Sequence, residues 1–301
     1  MRAALEADGV ALDAGRLIAL RGAAIFARRG AGSRVVTPAP GGQPVRMRGH
    51  GQELAELREY VPGDDLRHLD AHSTARTGVP HVRTWQQDRR RTVFLVADFR
   101  PSMLWGRRRA LHSVAAAEAL ALCGWRAIEA GGHVAAVAIS ANGLDGTAPR
   151  GRRQGMLDGI GLLCRAHRGV LERAAAGEGQ GSCGGTLVPA LEHLQRAAPS
   201  GALVVLASGY DDPGEGATRA CEGVLRRREL CLLRIEETEA LPPGRYRVER
   251  LAGGGRTSWR ATGTAARPRP AQLPPGAVQL PIDPAAAPAS IADVIAATGL
   301  F

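Results

Sequence analysis

Three short stretches of this chain carry oxygen-rich side chains that could act together. They are Asp98-Phe99-Arg100-Pro101-Ser102-Met103, Gly181-Ser-Cys-Gly-Gly-Thr186 and Ser208-Gly209-Tyr210-Asp211-Asp212. A carboxylate with a hydroxyl in the first, a hydroxyl in the second and a carboxylate in the third are hard donors of the kind Mg²⁺ prefers. Asp98, Ser102, Thr186 and Asp211 are therefore the candidate metal ligands. Arg100 opens a different chemistry. A guanidinium two residues from Asp98 can pair with that carboxylate bidentately and supply the positive charge itself. The site is then either a Mg²⁺ site or a metal-free site closed by an internal ion pair. In the metal-free case Arg100 is also a candidate to receive a partner's carboxylate.

Catalytic signatures are missing. The sequence has no G-x-S-x-G, no H-E-x-x-H and no Cys–His pair at a recognisable spacing. The Gly-rich stretch 181–185 lacks the G-K-[ST] of a nucleotide loop. The eight histidines are scattered. The expectation is a protein that is not an enzyme and has no catalytic residue.

The elements that must position these stretches are legible in the hydrophobic pattern. Residues 92–97, 133–140, 202–207 and 230–235 are short apolar runs of the type found in buried parallel strands. Helical spacing follows or precedes them at 107–130, 154–166, 186–197 and 215–228. Alternating strands and helices predict βαβ units and a doubly wound, mostly parallel α/β sheet over 92–240. Ligands of such sheets sit at the carboxyl ends of strands where the strand order reverses. The three oxygen-rich stretches fall at such ends. Ahead of this core, 1–42 reads as a helix (12–28) and a Gly/Pro-rich linker. Residues 43–91 read as charged loops and short elements. Behind it, 241–301 reads as a Pro/Gly-rich tail, with a hairpin at 246–251 and 256–260 and a last helix at 291–298 capped by Ser290.

The strand-end stretches resemble the metal-ion-dependent adhesion site of von Willebrand factor A domains. That site has D-x-S-x-S after the first strand, a Thr in a second loop and an Asp in a third. Asp98, Ser102 and Thr186 match. Arg100 stands in place of the first serine, and Asp211 comes two residues late. A second resemblance lies upstream, in Arg58-Glu-Tyr60-Val-Pro62-Gly63-Asp64-Asp65-Leu-Arg67-His-Leu-Asp70 and Ser73-Thr-Ala75-Arg76. This segment, with Ser102-Met103 and Gly106, is similar to the domain of unknown function 58 family over about 45–240. Ala71 stands where the family signature has Trp, and Asp88 where it has Glu.

The resemblance implies a von Willebrand factor A-like core. It also implies a non-enzymatic interaction protein, an accessory or adaptor of a MoxR-type AAA+ ATPase in chaperone-like assembly or stress response. The alternative is a Mg²⁺-dependent ligand-binding module of the von Willebrand factor A type. Pro62-Gly63-Asp64 is turn chemistry. Arg58, Arg67 and Arg76 with Asp64, Asp65 and Asp70 form either a charge-paired lattice that fixes this segment or, with Tyr60, a recognition surface. No cofactor is expected beyond a possible Mg²⁺.

Composition narrows the partners. The 301-residue chain carries a formal charge of +10, and every one of its 39 cationic residues is Arg. That bias, beside abundant Ala, Gly and Pro, has the look of codon composition. The Arg runs 89–91, 107–109 and 226–228 lack interleaved aromatics, so no nucleic-acid partner is expected. The five cysteines at 123, 164, 183, 221 and 231 are odd in number and widely spaced. They predict reduced thiols and a cytoplasmic location. No apolar run reaches the roughly 18 residues of a membrane span, so no membrane is expected.

Overall fold

Residues 203–207 and 93–97 are continuous apolar runs because both faces of the sheet they form are covered. In the computed structural model, which describes residues 8–27, 53–61, 67, 69–86, 91–177, 185–238, 242–249, 256–261 and 274–301, the chain divides into two units. One is Met1–Pro38 with Arg91–Phe301, the other Ala39–Arg90.

The larger unit is a mixed α/β fold of the von Willebrand factor A-like kind. In chain order after helix α1 (Ala14–Phe26) it contains β3 (Thr92–Asp98), a 3₁₀ turn (Pro101–Met103) and α3 (His112–Glu129). Next come β4 (His133–Ser140), β5 (Gly143–Gly146), β6 (Arg150–Gly151), α4 (Arg152–Ala175) and α5 (Val188–Ala197). Then follow β7 (Leu203–Ser208), α6 (Ala217–Leu225), β8 (Glu229–Ile235), β11 (Val278–Ile282) and α7 (Pro288–Ala297). The sheet order is β11-β8-β7-β3-β4-β5, with β6 also on β4. β3, β4, β7, β8 and β11 are parallel, while β5 and β6 run antiparallel to β4.

Successive side chains of β3 enter two different cores. Val93, Leu95 and Ala97 pack with α1, α3, α4 and α7; Phe94 and Val96 pack with α5 and α6. A two-layer cover of this kind is why the strand shows no polar alternation. α3 lies so close to the sheet and α4 that a Cβ at Gly124 would meet Met156 Sδ at 2.5 Å and Leu95 Cδ1 at 2.7 Å. The strand order reverses at β3, which has β4 on one side and β7 on the other. The crevice of a doubly wound sheet therefore opens between the carboxyl ends of β3 and β7.

The core extends past residue 240, where the sequence places its end. β11 completes the sheet beside β8, and α7 packs on α1 and α3. The Val-Gln-Leu-Pro-Ile strand is hidden in Pro/Gly-rich sequence because Pro281 suppresses a strand reading. An edge strand tolerates it, having an unpaired side. α7 starts at Pro288 rather than 291, with Ala287 as its cap instead of Ser290. The hairpin forms as β9 (Gly244–Glu249) and β10 (Arg256–Ala261), an antiparallel pair with Tyr246 opposite Trp259.

The smaller unit has β1 (Glu53–Glu59) and β2 (His81–Gln86) in antiparallel register, joined through α2 (Ala71–Thr77). Among the described residues, no helix is long and apolar enough to cross a membrane. Cys123, Cys164, Cys221 and Cys231 are free thiols; Cys183 lies outside the described residues. Burial pushes Cys221 up to about 11 and Cys231 up to about 12, which leaves both protonated and unreactive.

Candidate functional site

Asp98 is the last residue of β3 and Ser208 the last of β7, so the two side chains meet at the switch-point crevice. Ser208 Oγ donates to Asp98 Oδ2 at 2.6 Å and accepts the Tyr210 N–H at 3.1 Å. The chain leaves β3 in an extended conformation at Arg100, which turns that side chain back onto Asp98. Arg100 Nε donates to Asp98 Oδ1 at 2.9 Å and Nη2 to Oδ2 at 2.8 Å. The Arg100 backbone N–H adds a third bond, to Oδ1, at 3.0 Å. Each carboxylate oxygen thus accepts two hydrogen bonds, which fills the four lone-pair sites of Asp98. Asp98 is wholly buried, and Arg100 is only 3% exposed.

The other end of the guanidinium ties in the remaining loops. Arg100 Nη1 donates to Gly185 O at 2.8 Å and to Asp212 O at 2.9 Å. The loops before α5 and after β7 are also joined directly, by Leu187 N–H to Pro213 O at 3.0 Å. Burial alone would lower the Arg100 pKa. The hydrogen bonds and charge of Asp98, with the charges of Asp212 and Asp211, hold it above its ordinary value, so the side chain stays a cation. Tyr210 sits at φ 56°, a left-handed conformation that costs a side-chain-bearing residue on the order of 1 kcal/mol. Its buried hydroxyl, donating to Leu206 O at 2.8 Å, and the N–H bond to Ser208 Oγ hold that turn in place. Gly214, at φ 91°, lies so close to Thr186 that an added Cβ would meet Thr186 Cβ at 2.3 Å.

The residues predicted as metal ligands do not fit a divalent ion in this arrangement. A Mg²⁺ ion needs octahedral oxygen ligands at about 2.0–2.1 Å. The lone pairs of Asp98 are already taken, and a permanent cation lies against them. Ser102, Thr186 and Asp211 are exposed around the filled centre. Burial and the nearby Asp98 charge raise the Asp211 carboxyl above its ordinary value, against the opposing pull of Arg100. The guanidinium is equally unavailable to a partner's carboxylate. Four of its five N–H groups are bonded within the protein, so the expectation of direct binding by Arg100 does not match the geometry.

Part of the signature segment lies within the described residues. Arg58 is in β1, opposite Val82 of β2, and Tyr60 follows the strand with its N–H on Pro80 O at 2.8 Å. Asp70 is buried and caps α2, accepting the Ser73 N–H at 2.7 Å. Arg76 is exposed in the last turn of the same helix, where a cation complements the dipole. Asp70 and Arg76 therefore serve opposite ends of one helix. Arg67 is exposed, and Asp64 and Asp65 lie outside the described residues.

Two features escaped the sequence reading. The carbonyls of Gly185 and Asp212, which accept from Arg100, have no side-chain signature at all. Trp105 is 44% exposed, and its ring centroid lies 4.0 Å from that of buried His112. His112 Nε2 is 3.7 Å from Glu237, just beyond the carboxyl end of β8, so this aromatic pair flanks the same side of the sheet.

The chain spans about half the length of the curated relatives it matches. The uncharacterized protein Rv1480 of Mycobacterium tuberculosis is 33% identical over 171 residues, covering 55% of this chain and 49% of the relative. The uncharacterized protein Mb1516 of Mycobacterium bovis matches over the same length at the same identity. No solved structure matches. Residues 56–269 match the family described as "Protein of unknown function DUF58". That stretch is well over half of the chain and runs from the signature segment through the arginine-closed crevice, so this chain belongs to the DUF58 family.

Proposed function

We propose that this chain is a non-enzymatic, cytoplasmic interaction module that docks through the carboxyl-end face of its sheet. In this reading it is an accessory of a MoxR-type AAA+ ATPase in chaperone-like assembly or stress response. One observation carries the reading. At the position where a doubly wound sheet holds its ligand, the charged groups are consumed by internal bonds. What remains outward is a rim of Ser102, Thr186 and Asp211. A polar rim on the same end of the sheet as the exposed Trp105 suits recognition of another protein, since aromatic side chains are common interface anchors. The family resemblance supplies the identity of the partner, and the docking mode needs neither a nucleophile nor a metal.

The test is binding of the purified chain to a purified MoxR-type ATPase, measured by interferometry. The rim variants T186R and D211R should weaken binding by tenfold or more, about 1.4 kcal/mol. S258R, on an exposed position of the β9–β10 hairpin, should bind as the unmodified chain does. Absence of binding, or equal affinity for all four proteins, removes the reading.

A further inference from the structure

We infer that Arg100 is a tethered cation, which holds together on a side chain three loops, those after β3, before α5 and after β7, that a divalent ion could otherwise share. This goes beyond the docking proposal and holds whatever partner the face receives. The first support is where the charge sits. The guanidinium lies against Asp98, at the strand-order reversal, and takes both oxygens of that wholly buried carboxylate. The second is what else it touches. Its Nη1 reaches Gly185 O and Asp212 O, one from each remaining loop, so one group contacts all three. A metal bridging these loops would make the same three connections through oxygen. The third is saturation, because with the backbone N–H and Ser208 Oγ no lone pair of Asp98 is left over.

The covalent tether changes the thermodynamics of such a site. A bound ion leaves when its concentration falls, and its loops then relax. Arg100 is two residues from its partner, so its local concentration is set by the chain and not by the medium. The single charge of Arg100 also differs from a divalent ion. It neutralises Asp98 alone, and Asp211 lies outside at the exposed rim instead of completing a coordination shell. The face is therefore held in one arrangement at any Mg²⁺ concentration.

The opposite substitution then opens a cation site. R100S removes the tethered charge and leaves a hydroxyl two residues from Asp98. Asp98, Ser102, Thr186 and Asp211 remain to complete an oxygen set.

The experiment compares the EDTA-stripped chain with R100S and with the double variant R100S/D98N. Thermal melts and amide hydrogen exchange are recorded with and without about 10 mM MgCl₂, an amount that separates binding from its absence by mass action. The unmodified chain should melt at the same temperature with Mg²⁺ and with EDTA. R100S without metal should exchange faster at amides 185–187 and 209–212. Adding Mg²⁺ should raise its midpoint by about 2 °C or more and slow that exchange. R100S/D98N should lose the Mg²⁺ response. An Asp98-dependent Mg²⁺ shift in the unmodified chain overturns the inference, as does a folded R100S with unchanged exchange or no response to Mg²⁺. If R100S fails to fold, the unmodified chain's response to Mg²⁺ and EDTA still decides the question. Loss of partner binding in the rim variants leaves these readouts untouched, so the two proposals fail separately.

Discussion

Glu118 of α3 and Arg16 of α1 face each other across a helix interface, with Oε1 3.1 Å from Nε. The same carboxylate accepts from Arg109 Nη1 at 2.7 Å, and Arg109 in turn donates to Pro284 O at 3.1 Å. Glu118 is wholly buried, although a glutamate rarely is unless paired. It thereby joins the N-terminal helix, the loop before α3 and the segment after β11, three pieces far apart in sequence.

E118Q keeps the shape of the side chain and removes the charge. Both arginines are partly exposed, so solvent screens the loss. The expected destabilisation is about 2–3 kcal/mol, below the roughly 3–5 kcal/mol of a fully buried broken pair. Urea unfolding of the variant measures it. A change under about 0.5 kcal/mol, the size of a plain surface substitution, would mean the network is ornamental.

Asp98 sits in a drier place and should matter more. D98N leaves the buried Arg100 without its counter-charge, at a cost of about 3–5 kcal/mol. S208A removes one hydrogen bond to the same carboxylate, at about 1–2 kcal/mol. The order of the two, read from denaturation midpoints, is the prediction. S208A equal to or worse than D98N would refute the ion pair as the main tie of the crevice.

His167 predicts a pH dependence. Its ring is buried, Nε2 is 2.9 Å from Ser113 Oγ, and Nδ1 is buried with no hydrogen-bond partner among the described residues. Burial pushes its pKa from 6.5 down to about 4. The unfolded chain takes up a proton that the native state refuses, so stability is full above about pH 6.5 and falls as pH drops toward 4. The loss attributable to this one ring is about 3 kcal/mol. H167Q should flatten that part of the curve. Parallel pH–stability curves for the two proteins would show that the ring charges freely in the native state.

Two glycines should respond to alanine with opposite signs. G124A pushes a methyl into Met156 and Leu95 and should cost about 1–3 kcal/mol of packing strain. Gly161 in α4 faces only the flexible end of Arg165, Nη1, at 3.2 Å. G161A should therefore gain about 0.5–1 kcal/mol of helix propensity. Thermal midpoints moving the same way in both variants would contradict the close approach of α3 to α4 and β3.

The sequence by itself determined the alternation of buried strands and helices, and with it the doubly wound sheet, because burial on both faces leaves unbroken apolar runs such as 202–207. It also placed Asp98 and Ser208 at strand ends, since an apolar run that stops at a polar residue marks where the strand leaves the core. The Asp98–Arg100 pairing was legible as one of two options, because a two-residue spacing allows either an internal pair or two separate ligands. Only the tertiary structure decided between them. The acceptors that complete the arginine's coordination are the backbone carbonyls of Gly185 and Asp212, and every residue has such a carbonyl, so no pattern of side chains announces them. The same reason hid β11, whose partner β8 lies more than forty residues earlier. Its Pro281 is acceptable only because the strand falls on an edge, a place that the order of strands in space assigns.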